Sequence, residues 1–317
     1  MNRDALPTID DIRAAAARIA PYAQITPVLR SDALDALTGA HLHFKCENLQ
    51  RGGAFKFRGA CNAVWALDDD QAASGVITHS SGNHGNALAL AAATRGIAAH
   101  VVIPEGAVRA KVEAIERAGA TVHRCAPTQA AREAMAAELQ RQTGAVFVHP
   151  YADTQVMAGQ GTLALELLRQ VPDIDALMTP VGGGGLASGV AIAAHALDPT
   201  LALFGAEPAG ADDAARSLAQ GSRVISVVPD TLCDGLRALV GERNLDTLRL
   251  HGVEIITVTD EETVAAMQLL WRELKMLVEV SSATVLAAML KRPERFAGRR
   301  VGVVLTGGNV DLGALLW

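Results

Sequence analysis

The stretch GVITHSSGNHGNALALAAATRGIAAHVVIP, residues 75–104, decides the class of fold. Its two ends, GVITHS and AAHVVIP, have the short apolar composition of buried strands, and the segment GNALALAAATRG between them has that of a helix. A strand, a helix and a second strand in this order predict a βαβ unit, in which the two strands run parallel. The stretch therefore predicts an α/β protein built on a parallel sheet.

The same alternation continues on both sides of this stretch. Thr8 precedes apolar residues at helical spacing, and Asp11 follows three positions later, which predicts a capped amino-terminal helix. The further strands are predicted over residues 42–48, 120–125, 145–150, 176–181, 201–206, 251–259 and 299–305. The further helices are predicted over residues 109–119, 128–144, 162–170, 186–197, 260–276 and 282–292. Breaks near residues 70 and 150 are candidate junctions between two lobes.

The composition excludes several classes of protein. The 317 residues are 50% hydrophobic and carry a formal net charge of −6, which argues against a nucleic-acid partner. We find no apolar run long enough for a membrane span and no signal peptide at the amino terminus. The four cysteines are scattered without a C-x-x-C pair, which favours a reducing compartment. The expectation is a cytoplasmic globular protein.

Three turns at the ends of predicted strands have an unusual composition. The first holds Ser80, Ser81, Gly82, Asn83 and His84 before a helix, where free amides favour an anion. The second is the glycine run 182–185, whose amides can surround a phosphate, and the third is TGG at 306–308. Helix capping is the alternative for the first turn, but a cap needs one such residue and five stand together here. A tight turn is the alternative for the other two; phosphate binding is favoured over it for the glycine run, and the two explanations are equal for the third turn. The glycine run is neither a Walker A motif nor a dinucleotide fingerprint.

Lys56, in GGAFKFRGA at residues 52–60, adds an amine to these turns. A lysine, hydroxyl groups and a phosphate-binding loop fit pyridoxal phosphate, which a lysine holds as a Schiff base. Most lysines are simply solvated, and the residues alone do not rank Lys56 above Lys45 or Lys111.

The chain resembles the fold-type II pyridoxal-phosphate enzymes, in the branch of serine/threonine dehydratases and serine racemase. The resemblance rests on KCENLQRGGAFKFRGA, SSGNHGNALA, AGQGTLALE, PVGGGGL and LTGGNVDL, which occur in the order and spacing of that family over nearly the whole chain. It implies a two-lobed α/β fold like that of the tryptophan synthase β chain, in which each lobe has a mostly parallel sheet. The large cofactor-binding lobe is expected over residues 1–66 and 151–317, and the small mobile lobe over residues 67–150.

The resemblance also implies roles for individual residues. Lys56 is expected to carry the cofactor and Ser81 to face it from the opposite side as a second acid or base. The cofactor contacts are expected from Phe55, Lys56, Asn83, Gly182, Gly183, Gly184, Gly185, Gly235, Glu279 and Thr306. The substrate contacts are expected from Ser80, Ser81, His84 and Arg132. Thr306 stands where most members have serine, and GGAFK stands where many have TGSFK, which puts the ligand contacts of that loop in doubt.

A metal site is implied next to the predicted strand 201–206. Glu207, the carbonyl of Ala211 and Asp213 match a trio that binds magnesium or calcium in serine racemase, and hard cations prefer such oxygen ligands. A solvated acidic helix start is the alternative explanation of the same residues, and the resemblance favours the metal site over it.

The leading functional hypothesis is an L-serine/L-threonine dehydratase, which forms a 2-oxo acid and ammonia. Serine racemase and 3-hydroxyaspartate dehydratase are the alternatives on the same scaffold. Hydroxyaspartate has a second carboxylate, and Arg132 and His84 are the candidates to bind it. An inactive amino-acid-binding protein and a nicotinamide-linked oxidoreductase are less well supported by the motifs. The family resemblance further implies a homodimer acting on a small hydroxy amino acid.

Overall fold

The computed structural model describes residues 6–311 and residue 313. The expected lobe boundaries begin at residue 1 and end at residue 317, so their outermost residues lie outside this range. The helices are α1 (Ile9–Ile19), α2 (Asp32–Thr38), α3 (Lys56–Trp65), α4 (Asp69–Ser74), α5 (Asn83–Arg95), α6 (Arg109–Arg117), α7 (Gln129–Thr143), α8 (Thr154–Gln170), α9 (Gly185–Leu197), α10 (Asp213–Gln220), α11 (Glu242–Leu250), α12 (Asp260–Leu269) and α13 (Val280–Lys291). The strands are β1 (Val28–Leu29), β2 (His41–Cys46), β3 (Val76–His79), β4 (Ala99–Pro104), β5 (Thr121–Cys125), β6 (Val146–Phe147), β7 (Ala176–Pro180), β8 (Ala202–Pro208), β9 (Glu254–Val258) and β10 (Arg300–Leu305).

Two separate sheets form the framework. The larger has the order β1-β2-β10-β7-β8-β9 and the smaller the order β5-β4-β3-β6. All neighbouring strands are parallel except β1, which runs antiparallel to β2. The smaller sheet is built entirely from residues 76–147, between the two parts of the chain that supply the larger one. The predicted fold class is confirmed, and the βαβ stretch forms β3, α5 and β4. No helix in the described range is long and apolar enough to cross a membrane.

Local capping explains where several helices begin. The Thr8 hydroxyl accepts from the amide of Asp11, and the Asp11 carboxylate accepts from the amide of Thr8, as the sequence predicts. Helix α8 begins at Thr154, earlier than the predicted start at residue 162, because the Asp153 carboxylate accepts from the amides of Gln155 and Val156. The predicted helix 260–276 ends its α-helical part at Leu269 and continues as a π-helix over Leu270–Leu274.

A buried cluster of four charges, Lys45, Glu47, Arg58 and Glu166, ties β2, α3 and α8 together. The Arg58 guanidinium donates to both carboxylate oxygens of Glu47, from Nε and Nη2 at 2.8 Å each. Its Nη1 donates to Glu166 at 2.9 Å, and Glu166 also pairs with Lys45. Arg58, Lys45 and Glu47 are all essentially inaccessible to water. Two cations and two anions therefore offset one another beneath the helix that begins at Lys56.

Helices α3 and α8 touch where both carry glycine. A Cβ added to Gly159 would lie 2.6 Å from the Cα of Gly59, closer than real side chains approach. The helix that begins at Lys56 therefore lies against α8 at backbone-to-backbone distance.

Candidate functional site

Lys56 lies at the first turn of α3, between the two sheets. Its Nζ donates to the carbonyl of Pro150 at 3.0 Å and lies 5.0 Å from the centre of the Phe55 ring. Burial lowers the pKa of the amine to about 8, although the charge of Glu279 acts in the opposite direction. A substantial part of the lysine is therefore neutral near pH 8, the state that a nucleophile or base requires.

The turn after β10 lies against the loop that leads to Lys56. The amide of Phe55 donates to the carbonyl of Thr306 at 3.0 Å, and the amide of Gly308 donates to the carbonyl of Gly53 at 2.9 Å. Thr306 is buried. These bonds place Thr306 and Lys56 at the same edge of the larger sheet.

Asn83 connects the smaller sheet to this edge. It is the first residue of α5, and its Nδ2 donates to both carboxylate oxygens of Glu279 at 2.9 Å. Burial raises the pKa of Glu279 to about 7, while the hydrogen bond from Asn83 lowers it. Gly235 lies close by, since its amide donates to the hydroxyl of Ser281 at 3.0 Å.

The glycine loop 182–185 forms a cradle between β7 and α9. Within the described residues, the amides of Gly182, Gly183 and Gly184 donate to no other protein group. A Cβ on Gly183 would overlap the Tyr151 ring, and Gly184 has the left-handed φ of +84°. Free amides at the start of a helix, in a loop that tolerates only glycine, fit a phosphate group.

Tyr151 and Asn244 hold this loop, and the sequence analysis missed both. Asn244 Nδ2 donates to the carbonyls of Gly183 at 2.6 Å and Tyr151 at 3.1 Å. Tyr151 follows Pro150, the acceptor for Lys56, so one short segment joins the lysine to the cradle. Nothing in the composition of HPYADT distinguishes Tyr151 as a loop contact, because that role depends on where the chain folds back.

The turn after β3 carries the predicted substrate residues. Ser80 and Ser81 are half-buried, and no hydrogen bond from the Ser81 hydroxyl is found among the residues described. His84 is buried with Nε2 3.3 Å from the carbonyl of Val148, and its Nδ1 has no partner in the described residues. Burial, reinforced by the charge of Lys56, lowers the pKa of His84 well below its usual value. A neutral His84 is a poor partner for a carboxylate.

Arg132 lies on α7 and is half-buried. Its Nε is inaccessible to water, and its guanidinium forms no hydrogen bond or ion pair with any residue described. Burial lowers the pKa of His79, and the charge of Arg132 lowers it further. The same charge acts on Tyr151, whose pKa burial raises. Arg132 therefore lies close enough to the cleft to influence two of the residues around it.

The predicted metal residues lie behind the glycine cradle. The Glu207 carboxylate accepts from the amides of Ala214 and Ala215 at 2.9 and 2.8 Å, and Asp213 accepts from the amide of Val240 at 2.7 Å. All three members, Glu207, Ala211 and Asp213, are buried. No group of three His, Cys, Asp or Glu side chains in the described part of the chain is placed to bind a metal. A cation here would rely on two carboxylates and the Ala211 carbonyl.

The described residues fit pyridoxal phosphate as the resemblance implies. Three features surround one region between the sheets: the Lys56 amine of lowered pKa, the cradle of free amides, and the half-buried Asn83 bonded to the buried Glu279. Phe55, Gly235 and Thr306 adjoin it through the bonds given above. The individual roles of these residues stay predictions.

Comparison with known proteins identifies the family of the chain. Residues 19–307 match the family described as "Pyridoxal-phosphate dependent enzyme". A beta-hydroxyaspartate dehydratase of Paracoccus denitrificans (strain Pd 1222) is 49% identical over 312 residues, which cover 98% of this chain and 99% of that protein. The structure of maize serine racemase matches with a TM-score of 0.95 at 45% identity, covering 98% of this chain and 96% of that one. The structure of a T.th. threonine deaminase matches with a TM-score of 0.91 at 42% identity, covering 96% of this chain and 99% of that one.

These similarities confirm the family resemblance, the pyridoxal phosphate cofactor and the expectation of an enzyme. They also change the order of the functional hypotheses. The relatives named as hydroxyaspartate dehydratase and serine racemase are more similar to this chain than the threonine deaminase is, so the alternatives are better supported than the serine/threonine dehydratase. The chain belongs to the pyridoxal-phosphate-dependent enzyme family.

Proposed function

We propose that the protein is a dehydratase of 3-hydroxyaspartate, which releases ammonia and a four-carbon 2-oxo dicarboxylic acid. The observation that carries this proposal is Arg132, a half-buried guanidinium near the cleft with no partner among the described residues. A substrate with a second carboxylate supplies the anion that this cation lacks. The hydroxyaspartate dehydratase of similar sequence supports the same substrate class.

Different side chains bind the substrate and accept its proton. Lys56, neutral in part near pH 8, accepts the proton from the substrate α-carbon at Nζ. Ser80, Ser81 and the amides at the start of α5 bind the α-carboxylate, and Arg132 binds the second one. When bound, pyridoxal phosphate supplies the electron sink that stabilises the α-carbanion. The β-hydroxyl takes up a proton, which the protonated Lys56 can return, and leaves as water; hydrolysis of the resulting enamine gives the oxo acid and ammonia.

Serine racemase is the second candidate. Ser81 favours it, because its half-buried hydroxyl, with no partner in the described range, is available for proton transfer, and the family resemblance implies that it faces the cofactor opposite Lys56. A racemase requires such a second group, whereas the elimination does not.

The remaining expectations complete the proposal. The buried carboxylates of Glu207 and Asp213, with the carbonyl of Ala211, support a magnesium or calcium site behind the glycine cradle. Residues 67–150, which hold the smaller sheet, are proposed to move as a lobe against residues 1–66 and 151–317. A cytoplasmic homodimer is proposed from the family resemblance and the composition.

The test compares 3-hydroxyaspartate isomers with L-serine, L-threonine and D-serine as substrates of the holoenzyme. Ammonia and oxo-acid release are measured with magnesium and with a chelator, and chiral analysis follows the unreacted serine. We expect the highest kcat/KM with a hydroxyaspartate isomer. In Arg132→Met we expect kcat/KM for hydroxyaspartate to fall about 10- to 100-fold and that for serine much less, since one charge-assisted contact is lost.

Arg132→Lys is the matched variant, because it keeps the charge and loses the planar fork. It should retain part of the hydroxyaspartate preference. Equal losses for serine and hydroxyaspartate in Arg132→Met would contradict the role of Arg132. Faster formation of D-serine than of any oxo acid would replace the proposal with the racemase.

A further inference from the structure

Asn309, in the turn after β10, makes two hydrogen bonds that join three parts of the site. Its Nδ2 donates to the carbonyl of Gly52 at 2.8 Å and to Oδ1 of Asn83 at 2.9 Å. Gly52 lies in the loop that precedes Lys56, and Asn83 begins α5. Asn309 therefore connects the lysine loop, the last strand of the larger sheet and the first helix of the smaller one.

The orientation of the Asn309 amide is fixed by its surroundings. An amide NH₂ has two hydrogens, and both are used by the acceptors on Gly52 and Asn83. Its Oδ1 lies against Gly53, where an added Cβ would overlap it, and Gly53 has the left-handed φ of +74°. A reversed amide would place an oxygen opposite two acceptors, so only one orientation is compatible with these neighbours.

This orientation fixes that of Asn83 in turn. Because Asn83 Oδ1 accepts from Asn309, Asn83 must direct its Nδ2 away from it, and there it donates to Glu279. When the two Glu279 oxygens share one N–H of Asn83, its other N–H is free for the cofactor, whereas its carbonyl oxygen is already engaged by Asn309. A donor next to the ring hydroxyl of pyridoxal phosphate stabilises the ionised form of that oxygen, whereas an acceptor would stabilise the protonated form.

We propose that Asn309 is a positioning residue, which holds the Asn83 amide with its N–H groups toward Glu279 and the ring oxygen of the cofactor. The inference rests on the proposed contact between Asn83 and the cofactor. In this role Asn309 touches neither substrate nor cofactor and only fixes the orientation of the Asn83 amide.

The test follows the cofactor rather than the reaction. Asn309→Asp is nearly isosteric but cannot donate to Asn83, and Asn309→Ala removes the donor without adding charge. The absorption spectrum of each holoenzyme is recorded against pH, and the cofactor dissociation constant is measured by titrating apoenzyme. We expect the spectrum of both variants to shift toward the protonated ring oxygen, and the dissociation constant to rise about tenfold, the effect of one lost hydrogen bond.

Asn48→Ala is the matched control. Asn48 also packs beside the turn after β10, and its Nδ2 donates to the carbonyl of Leu277 at 3.2 Å, with no bond to Asn83. We expect its spectrum to match that of the unchanged protein. A role of Asn309 confined to holding the loop at Gly52 would lower the melting temperature without shifting the spectrum, and that result would overturn the proposal.

A double variant separates this inference from the role of Asn83. If Asn309 acts through Asn83, Asn83→Ala/Asn309→Ala has the same spectrum and dissociation constant as Asn83→Ala. Additive losses would overturn the positioning role. A shifted spectrum in Asn83→Ala with an unchanged one in Asn309→Ala would overturn the positioning role alone. No change in Asn83→Ala would overturn both assignments.

Discussion

Lys56 is a lysine whose proton affinity depends on its surroundings. Burial lowers the pKa of its amine to about 8, and Glu279 opposes that shift. Only the neutral amine can attack the aldehyde of the cofactor, so capture of pyridoxal phosphate by the apoenzyme should accelerate as the pH rises and level off above about 8. In Glu279→Gln, the charge that raises the pKa is removed, and the midpoint should move to lower pH. Stopped-flow absorbance measures this rate.

The control for this experiment is Glu262→Gln, a surface carboxylate paired with Lys291. It should leave the midpoint in place. A midpoint in Glu279→Gln that stays at the original pH or moves upward would contradict the role of Glu279. A protonated Glu279 carries no charge and does not raise the pKa of Lys56. Because the pKa of Glu279 is itself raised to about 7, the difference in rate between Glu279→Gln and the unchanged protein should fade below pH 7.

At the scale of elements, the four-charge cluster decides how firmly α3 is held. Arg58→Met leaves Glu47 buried without its main cation and removes the hydrogen bonds that Arg58 donates to Glu166. The expected loss in the free energy of unfolding is about 3–5 kcal/mol, because an unpaired buried charge is costly. Chemical denaturation of the apoenzyme measures it. Lys291→Met, which removes a surface pair of 3.0 Å, should cost at most about 1 kcal/mol. Similar losses in the two variants would contradict the role of burial.

Residues that stand in clusters could be predicted from the sequence, whereas residues whose role depends on distant parts of the chain could not. The turn with Asn83 and the glycine run were predicted because several residues of one chemical kind stand together after a strand, whereas Lys56 was singled out only by the family resemblance. Asn309 and Tyr151 act through neighbours distant in the chain, so no local pattern identifies them. The predicted start of α8 lay too late, and the residues it left out include Gly159 and Gly161, which permit close helix packing.

At the scale of the whole molecule, an ion pair joins the units built on the two sheets. Lys111, on α6, pairs with Asp234, beside Gly235, and both side chains are partly exposed. Such a pair contributes about 0–1 kcal/mol and weakens with salt. In Lys111→Met we expect hydrogen exchange across α5 and α6 to accelerate up to about fivefold at low salt, and the difference to vanish at high salt. Lys291→Met is the control, since its pair lies within the larger unit.

No acceleration in Lys111→Met, or an equal one in the control, would show that this contact does not hold the two units together. The two units would then be held together by other contacts, such as the hydrogen bonds from Asn83 to Glu279.

The position of β10 has a consequence for how the protein is made. This strand, Arg300–Leu305, lies between β2 and β7 in the middle of the larger sheet. The ribosome nevertheless synthesises it after all the other described strands. Until it arrives, β2 and β7 have no partner on their facing edges, and such edges invite pairing with other chains. The smaller sheet, complete by residue 147, can form during translation. The larger sheet, and with it the pocket for the cofactor, can close only after residue 305 has been synthesised and β10 has reached its place between β2 and β7.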